Sequence, residues 1–569
     1  MTGPRRLDGP FGAQVRRRRC VVRERHAPSR GPLRTIVICA LAAAATIACI
    51  VFPPTAHAAT SAAPAAAPAA PAAPAAPRYA LVIQDTVPLR AGPRSSGAPL
   101  AVLSQGALLE LRGERMDYLQ VYDPSRERGG FVRANSVRPL ALSADEAPEL
   151  LALVRFLRNR PGSEALGLGL AAAYLKAAPA GTITADVFDA MGTMAERLAW
   201  HANIANGANA TSLATAKPGE ASVAAQLEVA TGLGIRFDSI ERDGGVSLCY
   251  DGDAFRRVLA LQPTPDQAAR AALALTRPDC ISPTLPPLQR WQADQARAAL
   301  LDRVPTAGLP TYERNRVRMR QAGVWSAIAF EDSRRMTVEA AVGAANTGLP
   351  AVTASDTLRA GAAALDALAG VDKAELADDD QSTYTDAAMR VGASRWSAEM
   401  AIAPPANLLH VVTQPGQPGE TCVLLVDAKH TGANPLARRC TFAAVWTASA
   451  RVDAGATALT LAVQPLDTWR ELWMFRLTPA GWTVQVLPPS TEAGGIGYVE
   501  FAGWVPATGE VLAAREVHDP AHASRTLRTY ELLNGQTLET ERQADAPSSL
   551  KAFQRWQDPA WKRVTVSLR

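Results

Sequence analysis

The feature that most constrains this 569-residue chain is an apolar segment near its start, at residues 35–52. Ten arginines precede the segment, a Pro-Pro pair ends it, and Ala-His-Ala follows. A basic region, an apolar middle and a small-x-small end are typical of a secretory signal. We therefore predict export and cleavage near Ala59. The alternative is that residues 1–58 remain as an uncleaved membrane anchor, because eighteen apolar residues can just span a bilayer.

The net charge of the whole chain is dominated by this N-terminal region. Residues 1–58 carry ten arginines against Asp8 and Glu24, whereas the complete chain has a net charge of +5. The predicted exported part therefore carries a net charge of about −3, by difference. A nucleic-acid partner is not expected, because such binding needs clustered basic residues in the mature protein.

Four cysteines lie beyond the predicted signal: Cys249, Cys280, Cys422 and Cys440. An even number in an oxidising compartment predicts disulfides. Three pairings are possible, and we favour Cys249–Cys280 and Cys422–Cys440 because each pair falls within one predicted domain. No Cys-x-x-Cys pair exists and no histidine stands at ligand spacing beside a cysteine, so neither a zinc site nor another cofactor is expected.

Changes in composition predict a multidomain α+β protein. Residues 59–77 are mostly Ala and Pro, which is typical of an extended spacer. Residues 78–140 contain short apolar runs with alternating polar residues, separated by Gly, Pro and Ser, and this pattern predicts a small β-barrel. Residues 144–397 show helical periodicity, and residues 398–569 are rich in predicted strands.

Local signals place several elements in the helical region. Thr264, Pro265 and Gln267 have the order of a helix N-terminus with a capping box. Residues 324–345 are ambiguous between helix and strand. The run of three aspartates at residues 378–380 is predicted to be a solvated loop.

The C-terminal region is predicted to hold about nine strands, in repeated strand-turn-strand units that hint at propeller blades. About three or four such units are too few for a complete propeller, so a sandwich or a small open β-structure is an equal alternative. Five of the region's tryptophans fall within 60 residues of one another. Tryptophan stacks well on sugars, but we interpret these residues as filling the interior of the β-structure. They are Trp446, Trp469, Trp473, Trp482 and Trp504.

Four short stretches within residues 78–140 resemble the bacterial SH3 domain family in order and spacing. The resemblance implies a module that binds cell wall or peptides. Tyr118 and Phe131 stand where the family has tryptophan and are the candidate ligand-binding residues; the alternative is that both belong to the core. The stretches are Val87-Pro88-Leu89-Arg90-Ala91-Gly92-Pro93, Gly106 with the strand after it, Tyr118-Leu119-Gln120-Val121 and Gly130-Phe131-Val132.

No catalytic motif emerges from the sequence. Gly-x-Ser-x-Gly, His-Glu-x-x-His and phosphate-loop patterns are absent. His518 and His522 are four residues apart, but Pro520 places them in a loop, and no metal site is expected.

These observations predict a non-enzymatic binding or scaffold protein of the cell envelope, periplasmic or secreted, or anchored in the inner membrane and facing the periplasm. Peptidoglycan or an envelope protein would be its partner, and it would contact membrane only through an uncleaved N-terminal segment. Two alternatives stay open. One is an envelope enzyme with an unfamiliar site, and the other is a structural subunit of an envelope complex.

Overall fold

The computed structural model describes residues 78–562, except residues 97, 209–217, 243–244, 344–349, 491–494, 507 and 520–521. The predicted signal and spacer, residues 1–77, lie outside the described residues. Helices and mainly antiparallel sheets make up the described chain, which confirms the mixed α and β class. Within that part of the chain, no helix is both long enough and apolar enough to cross a membrane.

The N-terminal strands form a five-stranded antiparallel sheet and a separate hairpin. The sheet has the order β6-β5-β4-β1-β7, β2 pairs with β3, and a bridge between Arg90 and Phe131 joins the two. The pairing among the described residues leaves the sheet open, so the predicted closed barrel is not found. The strands are β1 (Arg78–Val82), β2 (Thr86–Leu89), β3 (Ala101–Ser104), β4 (Leu108–Arg115), β5 (Tyr118–Asp123), β6 (Arg128–Arg133) and β7 (Val137–Leu140).

These strands share their core with the helices that follow. Alternation along β1 buries Ala80 and Val82 on one face, among residues that include Ala165 and Val229 from two helices. Leu81, on the opposite face, joins the main helical core. The N-terminal strands are therefore docked on the helices on both faces.

The middle of the chain is helical, as predicted, but also contains a hairpin that the sequence analysis missed. The elements are α1 (Ala147–Leu157), α2 (Glu164–Ala177), α3 (Ala185–Ala208), α4 (Pro218–Gly232), β8 (Phe237–Arg242), β9 (Gly245–Tyr250), α5 (Asp253–Ala260), α6 (Pro265–Leu275), α7 (Pro287–Leu301), α8 (Thr311–Val342), α9 (Ala354–Ala369) and α10 (Gln381–Ser394).

Three local predictions can be compared with these elements. The capping box is confirmed, because the Thr264 side chain accepts a hydrogen bond from the Gln267 N–H and the Gln267 side chain accepts one from the Thr264 N–H. Residues 324–342 are helical and extend α8. The prediction of a solvated loop at residues 378–380 is wrong for Asp380, which is buried and paired with Arg316.

The C-terminal region contains two sheets. The three-stranded sheet has the order β10-β11-β12, and the large sheet has the order β13-β14-β15-β17-β18-β19-β20, with β16 also on β15. Strands β12 and β20 were not predicted. The elements are β10 (His410–Pro415), β11 (Thr421–Val426), β12 (Ala437–Thr441), β13 (Ala444–Val452), β14 (Ala458–Leu466), β15 (Trp469–Thr478), β16 (Gly481–Leu487), β17 (Gly497–Trp504), β18 (Val511–Asp519), β19 (His522–Leu533), β20 (Thr540–Ala544) and α11 (Lys551–Trp556).

The small sheet packs on the first half of the large one. Val423 and Leu425 of β11 share a core with Leu461 of β14 and Phe475 of β15. This arrangement is a local sandwich, one of the two architectures expected from the sequence.

A buried ionic cluster joins the helical region to the large sheet. Glu500 on β17 pairs with Arg395, which follows α10, and lies 3.1 Å from Arg470 on β15. The Arg470 side chain is completely buried. Burial lowers the pKa of this guanidinium to about 10, although Glu500 opposes the change.

The two disulfides are those favoured by the sequence analysis. Cys249 at the end of β9 bonds to Cys280, shortly after α6, with Cα atoms 5.8 Å apart. Cys422 and Cys440 face each other across β11 and β12, with Cα atoms 3.9 Å apart.

Candidate functional site: an arginine-lined cavity

A cavity of about 540 Å³ lies where six helices meet the turn between β14 and β15. We call it the arginine cavity. Part of its wall is apolar and includes Phe255, Leu273, Met319 and Val324. The rest is dominated by guanidinium groups, from Arg270, Arg277, Arg290, Arg297, Arg316, Arg320 and Arg390.

Helical spacing brings these arginines to one place. On α8, Arg316, Arg320 and Ala327 follow at intervals of four and seven residues and share one helix face. On α7, Arg290 and Arg297 are seven residues apart, which is close to two turns. On both α7 and α8, therefore, the arginines lie on the helix face that lines the cavity.

Carboxylates also line the cavity, but they are fewer than the arginines. They belong to Glu196, Asp279, Asp380, Asp386 and Asp467. Seven guanidiniums against five carboxylates give a net charge of +2 when all are ionised. The cavity is therefore electropositive, in contrast to the net negative charge of residues 59–569.

Arg320 is the least compensated of the cavity cations. Its Nη1 donates to the carbonyl oxygen of Leu273 at 3.1 Å and to the hydroxyl of Thr276 at 3.5 Å. No carboxylate among the described residues lies within ion-pairing distance of it. Burial, followed by repulsion from Arg297 and Arg277, lowers the pKa of Arg320 to about 10, although attraction to Asp279 and Glu196 opposes the change.

Arg297 lies beside Arg320 at the end of α6. Its Nε and Nη2 donate to the carbonyl oxygen of Thr276 at 3.1 and 2.6 Å, and its Nη1 donates to Asp294 at 2.6 Å. The last carbonyls of a helix lack partners within the helix and carry partial negative charge, so both arginines cap α6. The helix cap and the pair with Asp294 together engage all three nitrogens of Arg297, whereas the hydrogen bonds of Arg320 use only its Nη1, so its other donors are available to a ligand.

The cavity carboxylates all have basic partners. Glu196 and Asp279 pair with Arg277, and Asp380 accepts from Arg316 at 2.8 Å. Asp467 is more distant from its partners, at 3.7 Å from both Arg290 and Arg390. Asp386 lies 2.7 Å from His518, which belongs to β18 of the large sheet. Each of these acids therefore has a cationic or histidine side chain beside it.

A second chamber of about 150 Å³ adjoins the arginine cavity. The two share four lining residues: Glu196, Phe255, Ala274 and Arg277. We call the second space the acidic chamber. Its other polar walls include Asp238, Asp251 and Arg256, and the Cys249–Cys280 disulfide lines one side.

The candidate ligand-binding residues from the sequence lie elsewhere. Tyr118 is only 7% exposed on β5, and Phe131 is half-buried on β6 beside Arg90. Neither lines the arginine cavity or the acidic chamber.

The remaining candidates lie at other places in the chain. Glu420, Cys422 and Cys440 cluster at metal-ligating distance, but both cysteines are in a disulfide and offer no thiolate. The side chain of His522 lies outside the described part of the chain. Trp446 and Trp473 are buried, whereas Trp469, Trp482 and Trp504 are half-buried, so the interior interpretation fits two of the five tryptophans fully.

Sequence reasoning missed the arginine cavity itself. The available signal was the repetition of arginines at helical spacing in α7 and α8, but only the packing of α6, α7, α8 and α10 shows that these faces converge. Comparison of the chain with models of known protein families, with curated proteins and with solved structures gives no match.

Proposed function

We propose that this chain is an exported binding protein that holds an anionic ligand in the arginine cavity. The observation that carries the proposal is the half-buried Arg320 guanidinium, which lines the cavity without a carboxylate partner and between two further arginines. A ligand carboxylate or phosphate would supply the missing negative charge. Guanidinium groups match both anions because their parallel N–H donors can bind two oxygens at once.

The size and lining of the site also support a small-molecule ligand. Sites for such ligands usually enclose about 300–1,000 Å³ and combine apolar walls with a few polar groups. The arginine cavity has a volume of about 540 Å³ and an apolar wall that includes Phe255 and Met319. We therefore prefer a compact anion with an apolar part over a long polyanion.

Export remains part of the proposal. It is supported by the basic and apolar N-terminal sequence and by two disulfides, which persist mainly in oxidising compartments. A binding protein in this location would meet ligands of the cell envelope or the medium.

The SH3-like assignment of residues 78–140 also remains a proposal. It is supported by the seven short strands and by the Arg90–Phe131 bridge, which sets the β2–β3 hairpin against the larger sheet. Within this module, Phe131 is a better candidate than the buried Tyr118 for contact with peptidoglycan or a protein partner.

Calorimetric titration of the purified chain with citrate and with pyrophosphate, at low ionic strength, tests the anion site. We expect at least one of these probes to bind, and Arg320→Met to weaken that binding about tenfold or more. Arg359→Met is the matched control, because Arg359 is 68% exposed on α9 and pairs with Asp356 outside the cavity. Absence of binding for both anions, or equal loss in both variants, would refute the proposal.

A further inference from the structure

A glycine within α8, Gly323, lines the arginine cavity. Glycine inside a helix destabilises the fold relative to alanine, because it gives the unfolded chain more conformational freedom. The backbone at this position is helical, a conformation that alanine adopts readily. The glycine therefore needs a reason other than its backbone conformation.

Close packing explains the other glycines whose surroundings are described within helices. At each of them an added β-carbon would lie 3.3 Å or less from an atom of another residue. They are Gly167, Gly169, Gly192, Gly232, Gly361 and Gly392. A β-carbon on Gly323 would have a single described neighbour within 4 Å, the Cδ of Arg390 at 3.8 Å, which is an ordinary contact. Packing within the described chain therefore does not require a glycine at position 323, and its open side faces the cavity.

The cavity wall beside Gly323 is apolar. Val324 and Ala327 continue it along α8, and Ala387 adds to it from α10. Arg320, the least compensated cation of the cavity, lies one turn earlier on α8, and positions three apart on a helix are neighbours at about 5–6 Å. A ligand whose acidic group binds Arg320 would therefore place an uncharged part against the bare helix backbone at Gly323.

Three side chains in the lining of the cavity favour an aromatic ring for this uncharged part. The guanidinium of Arg390 can stack on the face of a ring. The thioether of Met319 and the ring of Phe255 also make favourable contacts with aromatic groups. A saturated group of the same size would gain only from the burial of its surface.

We infer that the ligand is an aromatic acid, whose carboxylate or phosphate group binds Arg320 and whose ring lies on the α8 backbone at Gly323. The inference rests on the proposed function, since it specifies the uncharged part of the same ligand. Gly323 is then a specificity-determining residue, because the missing side chain leaves room for the ring. A side chain at this position would fill that room without changing any charge in the cavity.

A matched pair of probes tests the ring. Benzene-1,3,5-tricarboxylate and all-cis-cyclohexane-1,3,5-tricarboxylate carry the same three carboxylates, but the first ring is flat and aromatic and the second is puckered and saturated. At pH 8 the carboxyl groups of both probes are ionised. We expect the wild type to bind the aromatic probe about fivefold more tightly or better in calorimetric titration.

Gly323→Ala separates contact with the ligand from a structural role of the glycine. Without ligand, its melting temperature should rise, since alanine favours the helix and its β-carbon has room. Its affinity for the benzene tricarboxylate should fall about fivefold or more, because the new methyl group occupies the place of the ring. Whichever of citrate and pyrophosphate binds the wild type should bind the variant within about twofold, because neither has a ring.

Two further variants complete the comparison. Gly323→Leu, with a larger side chain in the same space, should abolish binding of the benzene tricarboxylate. Gly181→Ala is the control, since Gly181 is exposed and an added β-carbon would meet nothing within 4 Å. It should leave the affinities for all four probes unchanged.

The outcomes distinguish the two proposals. Equal affinity of the wild type for the two tricarboxylates, or unchanged binding of the aromatic one by Gly323→Ala and Gly323→Leu, would overturn the aromatic ligand and leave the anion site in place. A lower melting temperature of Gly323→Ala would also overturn it, because the space at Gly323 would then be closed in the free protein. Failure of all four probes to bind the wild type would refute the proposed function itself, and the inference with it.

Discussion

Gly106 and Gly169 face each other so closely that a β-carbon built on Gly169 would lie 2.2 Å from the carbonyl oxygen of Gly106. Gly106 has a positive φ of 90°, and a β-carbon on it would lie 2.1 Å from the carbonyl oxygen of Ala165. The N-terminal strands thus touch α2 backbone to backbone. Such a contact indicates one continuous body in which residues 78–140 are fixed to the helices.

Gly169→Ala should therefore destabilise the protein by about 2–4 kcal/mol, because its new methyl group meets backbone atoms that cannot rotate away. Gly181→Ala is the control, since nothing lies within 4 Å of a β-carbon there. Urea denaturation of both variants measures the difference. Equal midpoints would show that the N-terminal strands can shift away from α2 at little cost.

The two disulfides should differ in their effect on ligand binding. Replacing either pair by serine should cost about 3–4 kcal/mol of stability, as expected for closed loops of 31 and 18 residues. Only Cys249→Ser/Cys280→Ser should also weaken anion binding, because this disulfide lines the acidic chamber and fixes the segment that carries Arg277. Titration with citrate or pyrophosphate below the unfolding temperature checks the prediction. Equal affinity in the two double variants would contradict it.

Glu500→Gln should destabilise the protein by about 3–5 kcal/mol, since it removes the carboxylate contacted by two buried guanidiniums, those of Arg395 and Arg470. Glu149→Gln, which breaks an exposed pair with Arg138, should change stability by less than about 1 kcal/mol. Thermal and urea unfolding report the contrast. A Glu500→Gln variant as stable as the control would mean that the cluster is not needed to join helices and sheet.

Glu331 on α8 should make the protein less stable as the pH rises from about 4.5 to 7. Burial raises the pKa of its carboxyl to about 7, and repulsion from Asp467 and Asp294 adds to the effect against attraction from Arg334 and Arg290. In this window the folded chain keeps a proton that the unfolded chain has lost, so each rise in pH favours unfolding.

Glu331→Gln should remove this pH dependence and stabilise the protein by about 1–3 kcal/mol at pH 8. Glu375→Gln, at an exposed position, should leave the pH profile of the wild type unchanged. Melting temperatures of the wild type and both variants, measured between pH 5 and pH 8, test this pH dependence. An unchanged profile in Glu331→Gln would show that this carboxyl ionises normally.

Local chemistry explains which elements could be predicted from the sequence. The capping box at Thr264 depends on residues three apart, and the strands from β13 to β19 follow from short apolar or alternating runs separated by turn residues, so both are visible without tertiary structure. The β8–β9 hairpin was missed although Asp243-Gly244-Gly245 is a hairpin signal. Its short strands are half-exposed and lie among helices, where periodicity is weak evidence.

The candidate site depends on contacts that sequence periodicity cannot specify. In the second half of α8, Ile328 and Phe330 favour a strand locally. Packing of α8 against α9 and α10 stabilises the helix instead. The pairing of Arg316 with Asp380 joins residues 64 positions apart. No local rule distinguishes these cavity arginines from solvated arginines on a helix surface.

The arginine cavity draws its walls from Thr193 on α3 through to Asp467 in the β14–β15 turn. Its charged walls are complete only once helices and sheet have assembled, so partly folded chains or fragments that lack either part cannot offer the same site. Binding of a ligand in the cavity therefore reports complete assembly. A ligand at a hundredfold excess over its Kd would add about 2.7 kcal/mol to the stability of the assembled state. A ligand bound in this cavity would therefore favour the completely assembled molecules over partly folded ones.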